Sequence, residues 1–408
     1  MASVKKVRNI IFLKDVLVLA ISAFGGPQAH IAMLFERMVK KHNYVTEEEL
    51  IELNALCTLL PGPTSTQTIT AIGYKIGGAN LAYLTLLVWI LPAGTFMTAI
   101  GIYISHMQSM GLSIEFTKYI QPMAVGIIAY AGYKISSKVV STKTGIILMF
   151  VSAIVSYLVS INYGHQLISA ITFPVLLIFG GVVTSFKYHK QPKIKNQTKG
   201  EINWSNFLLF IAVFVVAASI SGIAQLKFVS LFENFYRNGS LIFGGGQVLI
   251  PLLKAQFVDY KHYLTDAEFL SGIGFTQAMP GPVFSLSGYI GALSVREYGV
   301  WGQIIGGFVA LVGVFLPGTF LIFFVYGFWN RLKEYRPIRA SIEGVNAVGS
   351  GLVICAAFLL LDPINTQLGS SIGLINIGII IGTFLIMYTE KVPSPFLIIA
   401  ALVAGFVF

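Results

Sequence analysis

The sequence predicts an all-α polytopic membrane protein made of two inverted-topology repeats with broken or re-entrant helices. Three observations lead there. Of its 408 residues, 55% are hydrophobic and only 11% are charged, whereas a soluble domain carries about 25% charged residues. Apolar stretches near the ~20 residues that cross a bilayer recur along the chain. Finally, several phrases are written twice. Phe24-Gly25-Gly26-Pro27-Gln28 returns as Phe243-Gly244-Gly245-Gly246-Gln247, Tyr44-Val45-Thr46-Glu47 as Tyr263-Leu264-Thr265-Asp266, and Pro61-Gly62-Pro63 as Pro280-Gly281-Pro282, always with residue numbers that differ by 219. Pro92-Ala93-Gly94-Thr95-Phe96 faces Pro317-Gly318-Thr319-Phe320 at a slightly longer offset. An outer-membrane barrel would show short alternating segments instead.

Taken in order, Lys5, Lys6 and Arg8 precede the first apolar stretch and place the N-terminus in the cytoplasm. No Ala-x-Ala-like cleavage site follows that stretch, which is read as part of the mature chain. Clear spans are expected near 80–106, 120–139, 144–161 and 166–186. Residues 1–186 thus form a first unit. Residues 187–203 hold Lys187, Lys190, Lys193, Lys195 and Lys199 against Glu201 and read as a basic cytoplasmic linker. An additional span, 204–225, has no partner in the first unit. The second unit, 226–408, therefore begins on the opposite side, with spans near 300–328, 342–361, 371–388 and 393–408. The loop carrying Arg331, Lys333, Arg336 and Arg339 then falls in the cytoplasm, as the positive-inside rule requires.

Segments 10–41 and 47–76 carry the duplicated phrases. A straight helix of either length would reach about 45 Å, beyond the hydrocarbon core. Each has a Gly/Pro break near its middle, so each is a tilted broken span or a re-entrant hairpin. Arg37, Lys40 and Lys41 favour hairpins, while Lys254 and Lys261 in the second copy weigh against them.

The chemistry sits at the breaks. Pro63 can start a half-helix because its fixed φ and missing N–H suit the first helical position. Thr64, Ser65, Thr66 and Gln67 follow it, and in the second copy Pro282 is followed by Val283, Phe284 and Ser285. N–H groups at a helix start carry partial positive charge and attract oxyanions, and hydroxyls add neutral donors. The glycines before Gln28 and Gln247 allow a ligand close to the backbone. Four such starts at mid-membrane would suit a tetrahedral dianion, such as a metal or sulfur oxyanion. Gly and Pro in these places also permit kinks or tight helix packing. Paired broken helices in two halves point to the site of a secondary transporter of an inorganic anion, and converging half-helix starts also suit an anion channel.

His30, Glu36, Lys75 and Glu343 are candidates for countercharge or proton coupling. Interface anchoring and snorkelling explain such residues equally simply. The charges are not twofold symmetric: Leu249 stands opposite His30, Ala255 and Gln256 opposite Glu36 and Arg37, and Lys254 opposite Phe35. Lys14 and Asp15 are placed to pair or reach the surface, and Glu343 and Asn346 to open a helix. Thr46-Glu47-Glu48-Glu49 and Thr265-Asp266-Ala267-Glu268 match the helix-capping box. Gly302, Gly306 and Gly307 fit close helix packing.

The net charge of +10 comes from basic residues gathered at helix ends and loops, so it describes orientation, not nucleic-acid binding. Cys57 and Cys355 are isolated in apolar segments and support neither a metal site nor a disulfide framework. There is no Walker loop, His-Glu-x-x-His or Gly-x-Ser-x-Gly motif. No enzyme chemistry, cofactor or metal is expected; membrane lipid is the expected surrounding.

At Phe24 to Pro27, Pro61 to Pro63, Phe243 to Gly245 and Pro280 to Pro282 the chain resembles the CHR family of chromate ion transporters, in its long, fused two-unit form. The resemblance covers nearly the whole chain. It implies export of chromate from the cytoplasm driven by the membrane potential or a proton gradient, with sulfate as a structural analogue. It also leaves a homodimer open, since single-unit relatives work in pairs. Gly246 replaces the Pro of the first copy, which implies a softer break there.

Overall fold

The computed structural model describes residues 2–24, 26–163, 167–190, 204–242, 246–329, 335–361 and 371–407. Most of the expected linker, residues 191–203, lies outside them, as do Gly25, Phe243, Gly244, Gly245 and the loop residues Arg331 and Lys333. The chain forms two compact units that interleave along the sequence: 1–100, 198–246 and 279–329 in one, and 101–197, 247–278 and 330–408 in the other.

The first unit opens with α1 (Ala2–Ser22), a break, and α2 (Gly26–Leu34), which continues as a π-helical turn, π1 (Phe35–Lys41). After a turn with Asn43 at φ +49°, α3 (Glu47–Leu59) follows. Thr46 starts it as expected: the hydroxyl accepts from Glu49 N and the Glu49 carboxylate accepts from Thr46 N. A second break leads into α4 (Thr64–Ser109), which runs through the expected span near 80–106 and is interrupted at Gly78 by φ +76°. The unit also holds α8 (Ser205–Ala224), α9 (Lys227–Leu241), α12 (Leu286–Ser294) and α13 (Gly299–Tyr326).

Small residues set the packing here. A Cβ on Gly291 would lie 2.5 Å from the Gly306 carbonyl oxygen, and one on Gly306 2.7 Å from that of Gly291, so α12 and α13 touch backbone to backbone. Gly307 makes room for the Thr98 side chain of α4. Gly302 instead sits against Tyr298 of its own helix start. α9 leans on α13 and α8, with Tyr236 Oη donating to Phe210 O at 2.9 Å. α8 is apolar along its whole length yet almost unburied, with Ile223 86% exposed. Such a surface fits a multi-pass membrane protein.

In the second unit, α5 (Ile120–Val139), α6 (Lys143–Tyr163) and α7 (Leu167–Ser185) surround α14 (Arg336–Leu359). Gly180 and Gly344 bring α7 and α14 into direct contact: a Cβ on Gly344 would lie 1.8 Å from the Gly180 oxygen. Thr184 Oγ1 also accepts from Gly344 N at 3.0 Å. α15 (Ser371–Tyr388) packs on α5, and α16 (Ser394–Val407) on α11 (Asp266–Ala278). α10 (Leu249–Leu253) runs into a second π-helical turn, π2 (Lys254–Tyr260). It is followed by His262 at φ +51° and a Thr265–Glu268 capping pair. The chain path from α2 to α3 is thus repeated from α10 to α11 at the same offset of 219 in residue number, 43 against 262 and 46 against 265. Lys254 is buried and paired to Asp259 at 2.7 Å and to Asp266 at 3.3 Å.

Two expectations are corrected. Asp15 does not pair with Lys14, which is exposed. Asp15 Oδ1 accepts from Arg37 Nε at 2.9 Å, Oδ2 from Tyr44 Oη at 2.8 Å, and His42 Nε2 lies 3.4 Å away. Glu343 does not open its helix, because α14 begins two turns earlier at Arg336. It accepts a hydrogen bond from Thr142 instead.

Candidate functional site

The two breaks of the first repeat meet. Between them the chain leaves as α2–π1, turns, and comes back as α3. At about 1.5 Å per residue neither arm reaches the ~30 Å of a hydrocarbon core, so each is a half-helix that ends at a break. His30, one turn into α2, ties both ends. Its Nδ1 lies 3.0 Å from Ser65 Oγ at the start of α4, and its Nε2 lies 3.0 Å from Ala23 O in the first break. A carbonyl can only accept, so Nε2 carries a hydrogen, and in the neutral ring Nδ1 accepts from the Ser65 hydroxyl. Trp89 stands edge-on to the imidazole at 5.5 Å and donates its Nε1–H to Thr66 Oγ1 at 3.0 Å.

The repeats also bind each other crosswise at these breaks. Gly62 N donates to Ile242 O at 2.7 Å, and Gly281 N donates to Ala23 O at 2.8 Å. Residues 62 and 281, like 23 and 242, differ by 219. The same bond is therefore made twice, each Pro-Gly-Pro to the residue just before the other repeat's Phe-Gly-Gly. Both glycines need their type: φ is +122° at Gly62 and +113° at Gly281. The third motif joins by the same exchange. Gly62 stacks on Gly318, and Gly281 on Ala93. Gln67 Nε2 fastens the first of these contacts, donating to Pro61 O at 2.7 Å and reaching Gly318 O at 3.5 Å. Its Oε1 is buried without a partner.

A small cavity opens where the helix starts converge, lined by His30, Pro63, Thr64, Ser65, Gly246, Pro282, Val283 and Phe284. It has room for about one water molecule. The first repeat lends it hydroxyls and an imidazole; the second lends backbone, Val283 and Phe284. Among the described residues, no Lys, Arg, Asp or Glu lines it. Gln67 N makes the first intrahelical bond of α4, to Pro63 O at 2.9 Å. The N–H groups of Thr64, Ser65 and Thr66 therefore have no partner within the helix, as at any helix start, and carry the partial positive charge of the helix end.

Other sequence candidates fall around this cavity or away from it. Gly26, Pro27 and Gln28 form the first turn of α2, where Pro27 sits at a position suited to it. Without that Pro, the second copy starts as a 3₁₀ turn, Gly246–Val248, which includes Gln247. Pro282 likewise leads into a 3₁₀ turn, Val283–Ser285, before α12. Phe24 is exposed and Ser285 buried; neither lines the cavity. Pro280 is half-buried beside Gly281. Of the coupling candidates in this unit, only His30 reaches the cavity. Lys75 pairs with Glu49, the capping residue of α3, and Glu36 pairs with Lys40 on the exposed face of π1. Glu343 lies in the other compact unit. The His30–Ser65 pairing was not foreseen, although the offset alone marks both as polar residues that face Leu249 and Phe284 in the second copy.

Comparison with known proteins fits this duplicated layout. The family model described as chromate transporter matches residues 11–186 and again 229–406. A probable chromate transport protein of Synechococcus elongatus is 25% identical over 390 residues, covering 94% of this chain and 92% of the relative. The chromate transport protein of Cupriavidus metallidurans is 25% identical over 392 residues, covering 94% and 89%. An uncharacterized transporter of Bacillus subtilis is 26% identical over 182 residues, which is 43% of this chain but 86% of the relative. No solved structure matches.

Proposed function

The chain belongs to the chromate transporter family, and from that premise we propose that it carries a tetrahedral oxyanion, chromate first, out of the cytoplasm across the cytoplasmic membrane. It works as a secondary transporter by alternating access. The crossed pair of Gly62–Ile242 and Gly281–Ala23 bonds is the observation that carries this reading. It draws the broken helices of both repeats to one point, where helix-start N–H groups and hydroxyls can replace the hydration of an anion.

A cavity with room for one water is too small for four oxygens around a metal. We read it as a closed state, with the site opening to each side as the repeats rock about the crossed breaks. In this reading α2–π1 leaves the membrane into the cytoplasm and α3 re-enters from there, with Arg37, Lys40 and Lys41 at the cytoplasmic end. α8 is the unpaired crossing that inverts the second repeat, and the N-terminus is cytoplasmic. The membrane potential drives the anion outward.

Radiolabelled chromate flux in proteoliposomes, with and without an imposed gradient, tests the function. Saturable flux that follows the gradient supports it; no saturable flux of chromate or sulfate under any gradient sinks it. Competition by a panel of anions then ranks the cargo. Tags on the two termini should lie on opposite faces of the membrane, and finding both on one face would overturn the inversion.

A further inference from the structure

We propose that the site binds each oxyanion dianion together with one proton, held on His30. This rests on the oxyanion reading above and adds what that reading leaves open, the charge of the loaded site. A dianion in a small enclosed cavity is strongly disfavoured without countercharge. Among the described residues, the walls supply N–H groups and hydroxyls but no fixed cation, and His30 is the one titratable group that lines them.

The groups around the ring leave its charge to the ligand. On the α4 side it meets Ser65 and Trp89, and at the first break the Ala23 carbonyl. Opposite stand Gly246, Pro282, Val283 and Phe284. None of these titrates. Among charged groups on neighbouring elements, Asp15 pairs with Arg37, His42 and Tyr44, Glu36 with Lys40, and Glu49 with Lys75, while Lys41, Glu47, Glu48 and Glu52 are exposed. Arg8 and Lys14 on α1 are exposed.

Ser65 makes the proton useful twice. With the ring neutral, the Ser65 hydroxyl spends its hydrogen on Nδ1. When Nδ1 gains a proton it donates to Ser65 Oγ, and the Ser65 hydrogen is free to turn into the cavity. One proton therefore adds a positive charge and exposes a donor, both toward the anion. The Nε2–H stays on the Ala23 carbonyl, which also accepts from Gly281. The second repeat has Leu249 and Phe284 at the matching positions, so the stoichiometry is one proton per anion, and one net negative charge moves per loaded crossing.

The test uses the purified full-length protein and selenate, a tetrahedral dianion that does not titrate near neutral pH. Binding is measured by calorimetry from about pH 5 to about pH 8, where histidine ordinarily changes charge. Linkage predicts that Kd rises about tenfold per pH unit over the upper part of this range. An indicator dye should report about one proton taken up per selenate bound. His30→Gln, which keeps a donor for Ala23, should bind weakly with a flat profile. Ser65→Ala should bind several-fold more weakly at every pH and keep the slope. A flat wild-type profile, an uptake near zero or two protons, or an unchanged slope in His30→Gln overturns the proposal. If His30→Gln does not fold, the dye measurement on wild type decides alone. If wild type binds no selenate at any pH, the oxyanion reading falls and this proposal with it.

Discussion

Replacing Gly281 by Ala probes the crossing of the repeats directly. At φ +113° a side chain is held in a region that glycine alone occupies freely, a strain of about 1–3 kcal/mol. The new Cβ would also lie 2.9 Å from the Ala93 Cβ on a rigid helix. Relief of that overlap costs about 1–3 kcal/mol, and it pulls the Gly281 N–H from Ala23 O, a bond that contributes about 1 kcal/mol. These terms overlap, so the crossed arrangement loses about 2–5 kcal/mol. At about 1.4 kcal/mol per decade, that disfavours it by between ~30-fold and a few thousandfold. The assay is the thermal midpoint of purified protein together with selenate affinity, and both should fall. Gly78→Ala is the control, since φ there is +76° but nothing stands within 4 Å; it should lower the midpoint by strain alone and leave affinity near wild type. Adding Ala93→Gly to Gly281→Ala removes the Cβ that the new side chain meets and should recover part of the loss. A Gly281→Ala protein with wild-type midpoint and affinity would refute the crossing as a structural necessity.

Three further outcomes are expected. Asp15→Asn strands the partly exposed Arg37 and should destabilise by about 1–3 kcal/mol. Arg37→Gln in the same chain recreates the Asn234 and Gln256 of the second repeat, and a double-mutant cycle should return a coupling near 1 kcal/mol or more; strict additivity would show that the pair does not hold α1 to π1. Gly344→Ala places a Cβ 1.8 Å from the Gly180 oxygen and should cost about 3 kcal/mol or more, seen as loss of monodisperse protein; a normal elution profile contradicts the α7–α14 contact. Gln67→Leu removes two donated bonds but also the unpaired Oε1 and should cost about 1 kcal/mol. Gln67→Glu buries a carboxylate without a donor and should cost several kcal/mol; equal midpoints would place Gln67 outside the crossing.

Much of the fold was legible because Gly and Pro have conformational roles that few residues share. The phrases around Phe24, Pro61 and Pro92 stayed readable in both copies, and hydropathy located the helices from α5 to α8 and from α13 to α16. α9 was missed because Glu233, Asn234, Arg237 and Asn238 leave it no apolar run. Carrying the offset backward would have found it, since residues 227–241 stand opposite 8–22 of α1. The π-helical turns have no composition signal; they are visible only as hydrogen bonds. The breaks were read as a candidate site, but not that each repeat closes on the other. That exchange depends on Gly62 and Gly281 meeting carbonyls far away in sequence, and no local pattern encodes it. Lys75 and Glu36 looked like coupling charges because hydropathy cannot see Glu49 or Lys40 beside them.

The central claim is that an oxyanion binds where the crossed breaks meet. A density map of the protein frozen with selenate, compared with one without it, tests this most directly. The account predicts tetrahedral density against the Thr64 and Ser65 N–H groups and the Ser65 hydroxyl, within reach of His30, in a cavity enlarged from the closed one. Selenate ordered at any other place, with the space beside Ser65 unchanged, would contradict it.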